Sequence, residues 1–527
     1  GQLAFRGCTA LTSVELPQSV TYAGEEAFSH CSALKNITLS EKMDSTGVLM
    51  LAYCDALQEV AFPASLRRIA NAVCYGCPLL NKVSIGSNVN VIGGTAFSLC
   101  VALKQFETAA TTPPKVLDNA FSSIDLSQVE LIVPAGSKTA YSTAEIWKEF
   151  KPITEKSNVA ASFTTGIAKG GNIYVGVKSS EKFAINYGDG VMVEYQAGDY
   201  SSIGKRLKST AKGSKIEICG NPDAISAINL VQQKVETIDI KALRNLIELN
   251  LSENKLKDAD VSRFKYLRKL LLNSNNIKTL DISQNKDLQE VRASHNKIAS
   301  VVLPQENKTL KKIVISNNPL SQLALSQLPE LTALEADSCQ FESIDLKANT
   351  KLEELDLDAN KLTAIELANH KALWWLYLGN NQIAQIDVTQ LTALSNLNLA
   401  DNKLTQLDVT QNSSLRELYL SGNKTGNIDL SKNTAMMRLY VNGCDFTELD
   451  LKPFDRLSTL EANNNKIETL DFAKNKKLKN LIIDHNQLGK LDLTANKRLE
   501  RLEANHNQLT EVKLNVGGKF VKCLLHN

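Results

Sequence analysis

Long apolar runs, an excess of one charge and the common catalytic motifs are all missing from this 527-residue sequence. No apolar run reaches the roughly 18 residues that a transmembrane helix needs, so none is predicted. Lysine and arginine (59) nearly balance aspartate and glutamate (57), and a net charge of +2 gives no reason to expect nucleic acid or an anionic membrane as partner. HExxH, a pair of CxxC motifs, GxSxG and a phosphate-binding loop are absent, so we expect a protein that is not an enzyme.

A disulfide framework is not expected either, although the sequence contains ten cysteines. Five of them are spaced 23 residues apart, namely Cys8, Cys31, Cys54, Cys77 and Cys100. Two others, Cys339 and Cys444, stand where neighbouring repeats have asparagine. Such recurring positions favour a small, buried side chain with weak hydrogen-bonding capacity. We therefore predict buried free thiols at these positions.

A repeat with a period of 23 residues fills the first part of the chain. Its pattern is A-F-x-x-C-x-x-L-x-x-V-x-L-P, as in Ala27-Phe28 followed by Cys31. Each copy is typical of a short turn followed by a short strand, and its apolar edge is buried only when copies stack. After the last copy, Trp147 and Phe150 are large apolar side chains suited to covering the end of the stack.

These units resemble the BspA-like leucine-rich repeats of bacterial surface proteins. The segment that contains Trp147 and Phe150 resembles the piece that closes such arrays. The resemblance implies that residues 1–156 form one leucine-rich-repeat array with a C-terminal end piece.

Residues 157–222 contain no repeat and are predicted to form a small β-sandwich module. Short alternating segments such as Asn172–Val177 and Lys182–Tyr187 are typical of strands. Gly188-Asp189-Gly190 between two such segments indicates a hairpin turn. The Tyr-Gly-Asp-Gly segment resembles a turn of small β-sandwich modules found beside leucine-rich repeats, which supports a separate module here.

Residues 223–527 are predicted to form a second leucine-rich-repeat solenoid, with a period of 21 residues. The frame is L-x-x-L-x-L-x-x-N, which is clearest in Leu373–Asn381. We expect the asparagine to be buried and to bond the backbone of its own and the adjoining turns. Little helix is expected, so the predicted fold class is a mainly β repeat solenoid of two horseshoe-like arrays separated by the module.

Aromatic side chains cluster on one face of this second array. The third, fifth and seventh positions of the frame point outward and stack into columns, about 4.8 Å apart, on a surface predicted to be concave. Trp375, Tyr377, Tyr419 and Tyr440 all lie on these columns. Aromatic residues are common anchors of protein interfaces, and their flat rings also stack on sugars, so these four are the predicted partner-binding residues. The alternative is that exposed aromatic residues simply favour strands.

An acidic group precedes the aromatic residues by one to two repeats, and it consists of Glu335, Asp337, Glu354, Asp356 and Asp358. Five neighbouring carboxylates repel one another unless a cation or a basic partner neutralises them. This group is therefore a candidate site for calcium or for a basic ligand. The alternative is a solvated acidic face.

His485 and His506 occupy the eighth position of adjacent repeats, so they are predicted to lie near each other, beside Asp484. Two imidazoles and a carboxylate can bind a transition metal, which makes this pair a weak metal candidate. An exposed histidine in a turn is the more common outcome.

The resemblance to BspA-like proteins implies a secreted or cell-surface bacterial protein that contacts a protein or glycan partner, possibly host-derived. We therefore predict a non-enzymatic binding or adhesion protein, a monomer, that uses the concave face of the second array. The alternative is the non-catalytic targeting part of a secreted carbohydrate- or protein-processing enzyme. A third interpretation is a purely structural spacer, which a concave face bare of aromatic residues would have favoured.

Overall fold

Short parallel strands, one from each repeat, stack through most of the computed structural model of this chain. The structure describes residues 1–134, 137–156, 159–305, 307–515 and 521–526. The predicted start of the β-sandwich module, Ser157, lies outside these residues. The chain divides into two units, Gly1–Asn158 and Val159–Asn527. Among the described residues, no helix has the length and apolarity needed to cross a membrane.

The first unit contains two ladders of parallel strands. The alternating pattern of each repeat buries every second residue, as in Glu59–Phe62, where Val60 and Phe62 are buried. The first ladder consists of Ser13–Glu15 paired with Asn36–Thr38, followed by a sheet of Glu59–Phe62, Lys82–Ile85, Gln105–Thr108, Glu130–Val133 and Ile153–Glu155. The second ladder consists of Tyr22–Ala23 paired with Ser45–Thr46, followed by Arg68–Ile69, Val91–Ile92 and Lys115–Val116.

The thiols of the first unit are free and form a ladder of hydrogen bonds between repeats. Cys54 Sγ donates to the carbonyl of Phe28 at 3.2 Å, and Cys77 Sγ donates to the carbonyl of Leu51 at 3.1 Å. Both acceptors lie 26 residues earlier in the chain, on the preceding repeat. Eight of the ten cysteines are buried, as predicted, whereas Cys8 and Cys523 are exposed.

The end piece of the first unit contains the helices of that unit. They are the 3-10 helices Leu126–Gln128 and Trp147–Glu149 and the α-helix Lys138–Thr143. Trp147 and Phe150 are buried, with their ring centroids 5.7 and 5.9 Å from that of Phe106. The Trp147 Nε1 donates to the carbonyl of Pro114 at 2.8 Å, which satisfies its buried polar group. These rings cover the apolar end of the stack.

The second unit begins with two antiparallel sheets. One sheet contains, in order, Met192–Tyr195, Phe183–Asn186, Lys215–Gly220, Val159–Thr165 and Val235–Asp239. The other contains Asn172–Ser179, Gly198–Asp199, Leu207–Thr210 and Ile225–Asn229. Two 3-10 helices, Ile203–Lys205 and Pro222–Ala224, connect strands in this region.

The repeats of the second unit continue one of these sheets. Ile225–Asn229 pairs antiparallel with Asn172–Ser179 on one side and parallel with Glu248–Asn250 on the other. Phe163 and Ile216, on the five-stranded sheet, belong to the same apolar core cluster as the leucines of the repeats. The antiparallel sheets and the repeats therefore share one core.

Each repeat of the second unit adds one parallel strand of three residues, whose middle side chain is buried in every strand except the last, where Cys523 is exposed. The strands are Glu248–Asn250, Lys269–Leu271, Glu290–Arg292, Lys312–Val314, Ala333–Glu335, Glu354–Asp356, Trp375–Tyr377, Asn396–Asn398, Glu417–Tyr419, Arg438–Tyr440, Thr459–Glu461, Asn480–Ile482, Arg501–Glu503 and Lys522–Leu524. On the opposite side of the repeats, Thr279–Asp281 pairs with Ser300–Val302, and Lys490–Asp492 pairs with Glu511–Lys513. No helix occurs among the described repeats after residue 225, in agreement with the expected scarcity.

The asparagines that recur at the ninth position of the frame form a ladder of buried amides. Asn402 Nδ2 donates to the carbonyls of Leu378 at 2.8 Å and Leu399 at 3.1 Å, while its Oδ1 accepts from the Ile383 N–H at 2.9 Å. Each such amide thus satisfies backbone groups of two repeats, as predicted. The same arrangement recurs at Asn254, Asn275, Asn296, Asn318, Asn360, Asn381, Asn423, Asn465, Asn486 and Asn507.

Candidate functional site

The predicted aromatic residues lie side by side on the outward face of the parallel sheet, which we call the sheet face. In the strand Trp375–Tyr377 the buried Leu376 fixes the two rings on the opposite, outward side. Tyr377 lies opposite Asn398 in the register, and Asn398 lies opposite Tyr419, so these two tyrosines are two strands apart. Tyr419 lies directly opposite Tyr440.

The rings form a continuous row across four strands, which we call the aromatic row. The centroids of Trp375 and Tyr377 are 4.9 Å apart, edge to face, and those of Tyr377 and Tyr419 are 6.2 Å apart. Tyr419 and Tyr440 are stacked at 4.6 Å with an interplanar angle of 6°. Trp374, which directly precedes the strand, is exposed and stacks beside the row, with its ring centroid 6.2 Å from that of Trp375.

Polar contacts hold the row in place. The Tyr419 hydroxyl donates to Glu417 Oε2 at 2.9 Å, and Arg438 Nη1 bonds Glu417 Oε1 at 2.6 Å. Partial burial, followed by the nearby Glu417 carboxylate, raises the pKa of Tyr419. Since Glu417 and Arg438 occupy the third frame position of neighbouring repeats, the same register that revealed the rings could have revealed these two residues. Sequence reasoning missed them.

The four rings are half-buried, and so is Glu417 beneath them. A half-buried ring presents one apolar face to solvent while its neighbours limit its rotation. The row is therefore a preorganised apolar surface surrounded by polar groups, a chemical arrangement suited to contact with a protein side chain or the face of a sugar ring.

The acidic group is less isolated than its sequence indicated, because Lys312 lies beside it. Its Nζ is 2.7 Å from Glu335 Oε1 and 3.6 Å from Glu354 Oε2. Lys312 occupies the third frame position of the preceding repeat and was missed by sequence reasoning. Lys312 therefore already neutralises part of the charge of Glu335 and Glu354, and the predicted calcium or basic-ligand site at the acidic group stays a prediction.

Asp356 and Asp358 have no such partner among the described residues. Burial, with the charges of Asp358, Asp337 and Glu335 adding to it, raises the pKa of Asp356 to about 7. Burial also raises the pKa of Asp358. Asp337, like Asp356 and Asp358, forms no salt bridge within the described residues, so three carboxylates of the acidic group have no cationic partner there.

Asp358 connects the acidic group to the aromatic row. Its Oδ1 accepts from the Gly379 N–H at 2.6 Å, and its Oδ2 accepts from Asn398 Nδ2 at 2.8 Å. A Cβ at Gly379 would lie 2.7 Å from the Asn398 amide nitrogen, so a larger residue there would have to displace the Asn398 side chain that bonds Asp358. The two predicted clusters are therefore parts of one surface.

The predicted histidine pair is close together, as expected. The rings of His485 and His506 are stacked with their centroids 4.3 Å apart, and both residues are exposed. Asp484 Oδ1 accepts hydrogen bonds from the Asn505 N–H at 2.6 Å and from Asn505 Nδ2 at 2.9 Å. The part of the chain that the structure describes contains no group of three or more His, Cys, Asp or Glu side chains arranged to hold a metal ion.

Comparison with known protein families identifies repeats in the first part of the chain. Residues 1–104 match the family model for the BspA type leucine-rich repeat region in six copies, which confirms the predicted resemblance. None of the curated proteins matches the chain.

Two of the solved structures that this chain resembles come from bacteria. The functional domain of InlJ from Listeria monocytogenes, which includes a cysteine ladder, is 25% identical, with a TM-score of 0.52 over 56% of this chain and 71% of that chain. The leucine-rich effector YopM from Yersinia pestis is 26% identical, with a TM-score of 0.47 over 54% of this chain and 78% of that chain. The InlJ similarity identifies the leucine-rich-repeat solenoid as the fold of this chain.

Proposed function

We propose that this chain is a non-enzymatic binding protein, secreted or held at the cell surface, that contacts a protein or glycan partner through the sheet face of its second unit. The observation that carries this proposal is the aromatic row formed by Trp375, Tyr377, Tyr419 and Tyr440.

Three properties of the row support a contact site. Its rings are neither core residues nor scattered, because each is half-buried and touches the next. Leu376, Leu418 and Leu439 already supply the buried positions of the same strands, so the rings are not required to fill the core. Partly ordered aromatic side chains lose little entropy on binding, which is why they contribute strongly to interfaces.

The two features of the chain that resemble known proteins support a binding role in a coarser way. The BspA-type repeats of residues 1–104 and the similarity to InlJ both support a leucine-rich-repeat protein with a binding role. Secretion, surface location and a monomeric state remain parts of this proposal. Calcium binding at the acidic group also remains a proposal, and calorimetric titration of the chain with calcium tests it.

The experiment is a comparison of the intact chain with the variant that carries W375A, Y377A, Y419A and Y440A. Both are probed against arrays of host proteins and glycans, and the affinities for each hit are then measured. We expect binding to weaken at least about tenfold, since one interface anchor contributes roughly 1–2 kcal/mol or more. The melting temperature should change by less than about 4 °C, because the rings are not core.

A matched control is Tyr266→Ala, which removes a tyrosine that is 57% exposed and lies outside the row. It should leave both affinity and melting temperature unchanged. If the quadruple variant instead melts far below the wild-type chain, or binds every hit as tightly, the aromatic row is not the contact site.

A further inference from the structure

The sheet face around the aromatic row is strongly acidic, although the whole chain carries a net charge of only +2. Outward side chains from the repeats between residues 331 and 463 include the carboxylates of Glu335, Asp337, Glu354, Asp356, Asp358, Glu417 and Glu461. The one cationic side chain at the outward positions of these same repeats is Arg438. The acidity is therefore local to the surface that carries the row.

Internal cations neutralise only part of this charge. Lys312 pairs with Glu335 and Glu354, and Arg438 pairs with Glu417. In the described part of the chain, no Lys, Arg or His nitrogen forms a salt bridge with the other four carboxylates, which are Asp337, Asp356, Asp358 and Glu461. The unneutralised charge lies on both sides of the rings.

One of these free carboxylates directly adjoins the row. Asp356 is the register partner of Tyr377, and Glu354 is the register partner of Trp375. A carboxylate beside the faces of Trp and Tyr is an arrangement that attracts a cation twice, by charge and by the ring quadrupole. An anionic ligand would be repelled by the carboxylate, and a neutral ligand could gain a hydrogen bond from it but no attraction between opposite charges.

We propose that the sheet face between Asp356 and the rings of Trp375 and Tyr377 receives a lysine or arginine side chain from a basic, extended segment of a partner protein. This inference rests on the proposed function, because it names the chemistry of the partner at the same site. Charge complementarity selects a basic polypeptide over a neutral glycan.

The raised pKa of Asp356 agrees with a surface that favours a cationic ligand. The groups that face this carboxyl are Glu335 and Asp337 from the preceding repeat, Asp358 on its own repeat and Tyr377 from the following one. None of them is a cation, and burial together with the three carboxylates raises the pKa of Asp356 to about 7. A bound ammonium or guanidinium group would lower this pKa, so binding should release a proton near neutral pH.

The test selects binders to the intact chain from a random dodecapeptide library and then measures the affinity of the recovered peptides. We expect the recovered peptides to be enriched in lysine and arginine. Their affinity should fall about tenfold in the Asp356→Asn variant, and it should decrease as the salt concentration rises. It should also fall between pH 8 and pH 6 in the wild-type chain and become independent of pH over this range in Asp356→Asn.

A control variant and the pattern of binding results separate this inference from the proposed function. Asp387→Asn removes an exposed carboxylate outside the sheet face and should leave the affinity unchanged. The inference would be overturned if the recovered peptides lacked basic residues, or if Asp356→Asn bound basic peptides as tightly as the wild-type chain does. In either case, a loss of binding in the quadruple aromatic variant would still support the proposed function. Basic peptides that the quadruple variant retains at full affinity would overturn both. A neutral glycan bound through the rings and unaffected by Asp356→Asn would also overturn the inference alone.

Discussion

Both arrays use a side chain to bond a turn to the backbone of the preceding repeat, but the two arrays use different side chains. In the first, Cys77 Sγ donates to a carbonyl 26 residues earlier; in the second, Asn402 Nδ2 donates to a carbonyl 24 residues earlier. Both bonds tie a turn to the preceding repeat. Asn402 additionally bonds Leu399 and accepts from the Ile383 N–H, whereas the thiol is a single weak donor.

Cys444 shows that, within the second array, a thiol can replace asparagine in the bond to the carbonyl of the preceding repeat. Its Sγ donates to the carbonyl of Leu420 at 3.3 Å, 24 residues earlier, as an asparagine would. The difference between the arrays therefore lies in how many backbone groups depend on one side chain. The second array depends more on its polar ladder, and the first depends more on apolar packing.

The faces of the two arrays differ as well. In the first ladder of the first unit, the outward positions of the described strands carry residues such as Glu59, Lys82 and Gln105, and none of them carries an aromatic ring. On the second ladder Tyr22 is exposed, without a row of neighbouring rings along the described strands. The second array has the aromatic row and the free carboxylates. This contrast assigns the proposed partner contact to the second unit.

The largest expected effect comes from cutting the second unit at the predicted boundary. A truncated chain of residues 223–527 lacks Val159–Thr165 and Asn172–Ser179, which pair with Val235–Asp239 and Ile225–Asn229. It would expose buried Ile228 and the first leucines of the array, since a repeat array needs a capped end. We expect its melting temperature to lie more than about 10 °C below that of residues 159–527, measured by circular dichroism.

The matched comparison is the chain of residues 159–527, which removes only the first unit. It should melt at the same temperature as the corresponding transition of the intact chain. Equal melting temperatures for the 159–527 and 223–527 chains would show that the antiparallel sheets are dispensable and that the array is stable by itself.

The next largest effect distinguishes the two ladders. Asn402→Ala leaves buried backbone groups of two repeats without partners, and each costs roughly 1–3 kcal/mol, so we expect a loss of about 3 kcal/mol. Cys77→Ala removes one weak donor and a small volume, so we expect about 1 kcal/mol. Urea unfolding of each variant, with the transitions assigned from the 159–527 chain, measures both.

An exposed asparagine provides the control for this pair. Asn369 is exposed, so Asn369→Ala should change stability by less than about 0.5 kcal/mol. Equal losses for Asn402→Ala and Cys77→Ala would contradict the idea that the second array depends more on its polar ladder.

Regular spacing of the repeats explains why the columns of the second array, including the aromatic row and the buried asparagines, could be predicted from the sequence. Once the 21-residue frame is aligned, Tyr377 and Tyr419 must share a column, and Asn402 must be buried beside its equivalents. Periodicity determines which residues share a face, because a strand alternates strictly and repeats stack in register.

Contacts that depend on the reach of a side chain, or that involve the region without repeats, could not be read in the same way. The Lys312 to Glu354 contact joins strands that are two repeats apart, and it depends on how far a flexible side chain reaches. The pairing of Asn172–Ser179 with Ile225–Asn229 joins a region without repeats to the first repeat, where no period indicates the register. A second column of buried amides was missed although it is periodic, since Asn285 and its equivalents follow the less regular L-D-x-x-x-N segment.

A somewhat smaller effect than that of Asn402→Ala is the pH dependence that Asp356 gives to the second unit alone. Its carboxyl has a pKa of about 7 in the folded chain and about 4 when unfolded, so the folded state binds more protons between these values. The free energy of unfolding should therefore fall by roughly 2–3 kcal/mol as the pH rises from 5 to 8. Asp356→Asn should remove this fall in the second unit's transition and leave the first unit's transition unchanged.

Asp387→Asn should change the free energy of unfolding at pH 8 in the opposite direction to Asp356→Asn, so the two variants are compared in the same experiment. The Thr389 hydroxyl and N–H bond the Asp387 carboxylate and lower its pKa, so the ionised form stabilises the fold above the unfolded value. Its removal should lower stability at pH 8 and have less effect near pH 3. If both aspartate variants moved the second unit's transition in the same direction at pH 8, the sheet face would not differ electrostatically from the rest of the array, and the distinction between the two arrays would rest on the ladders alone.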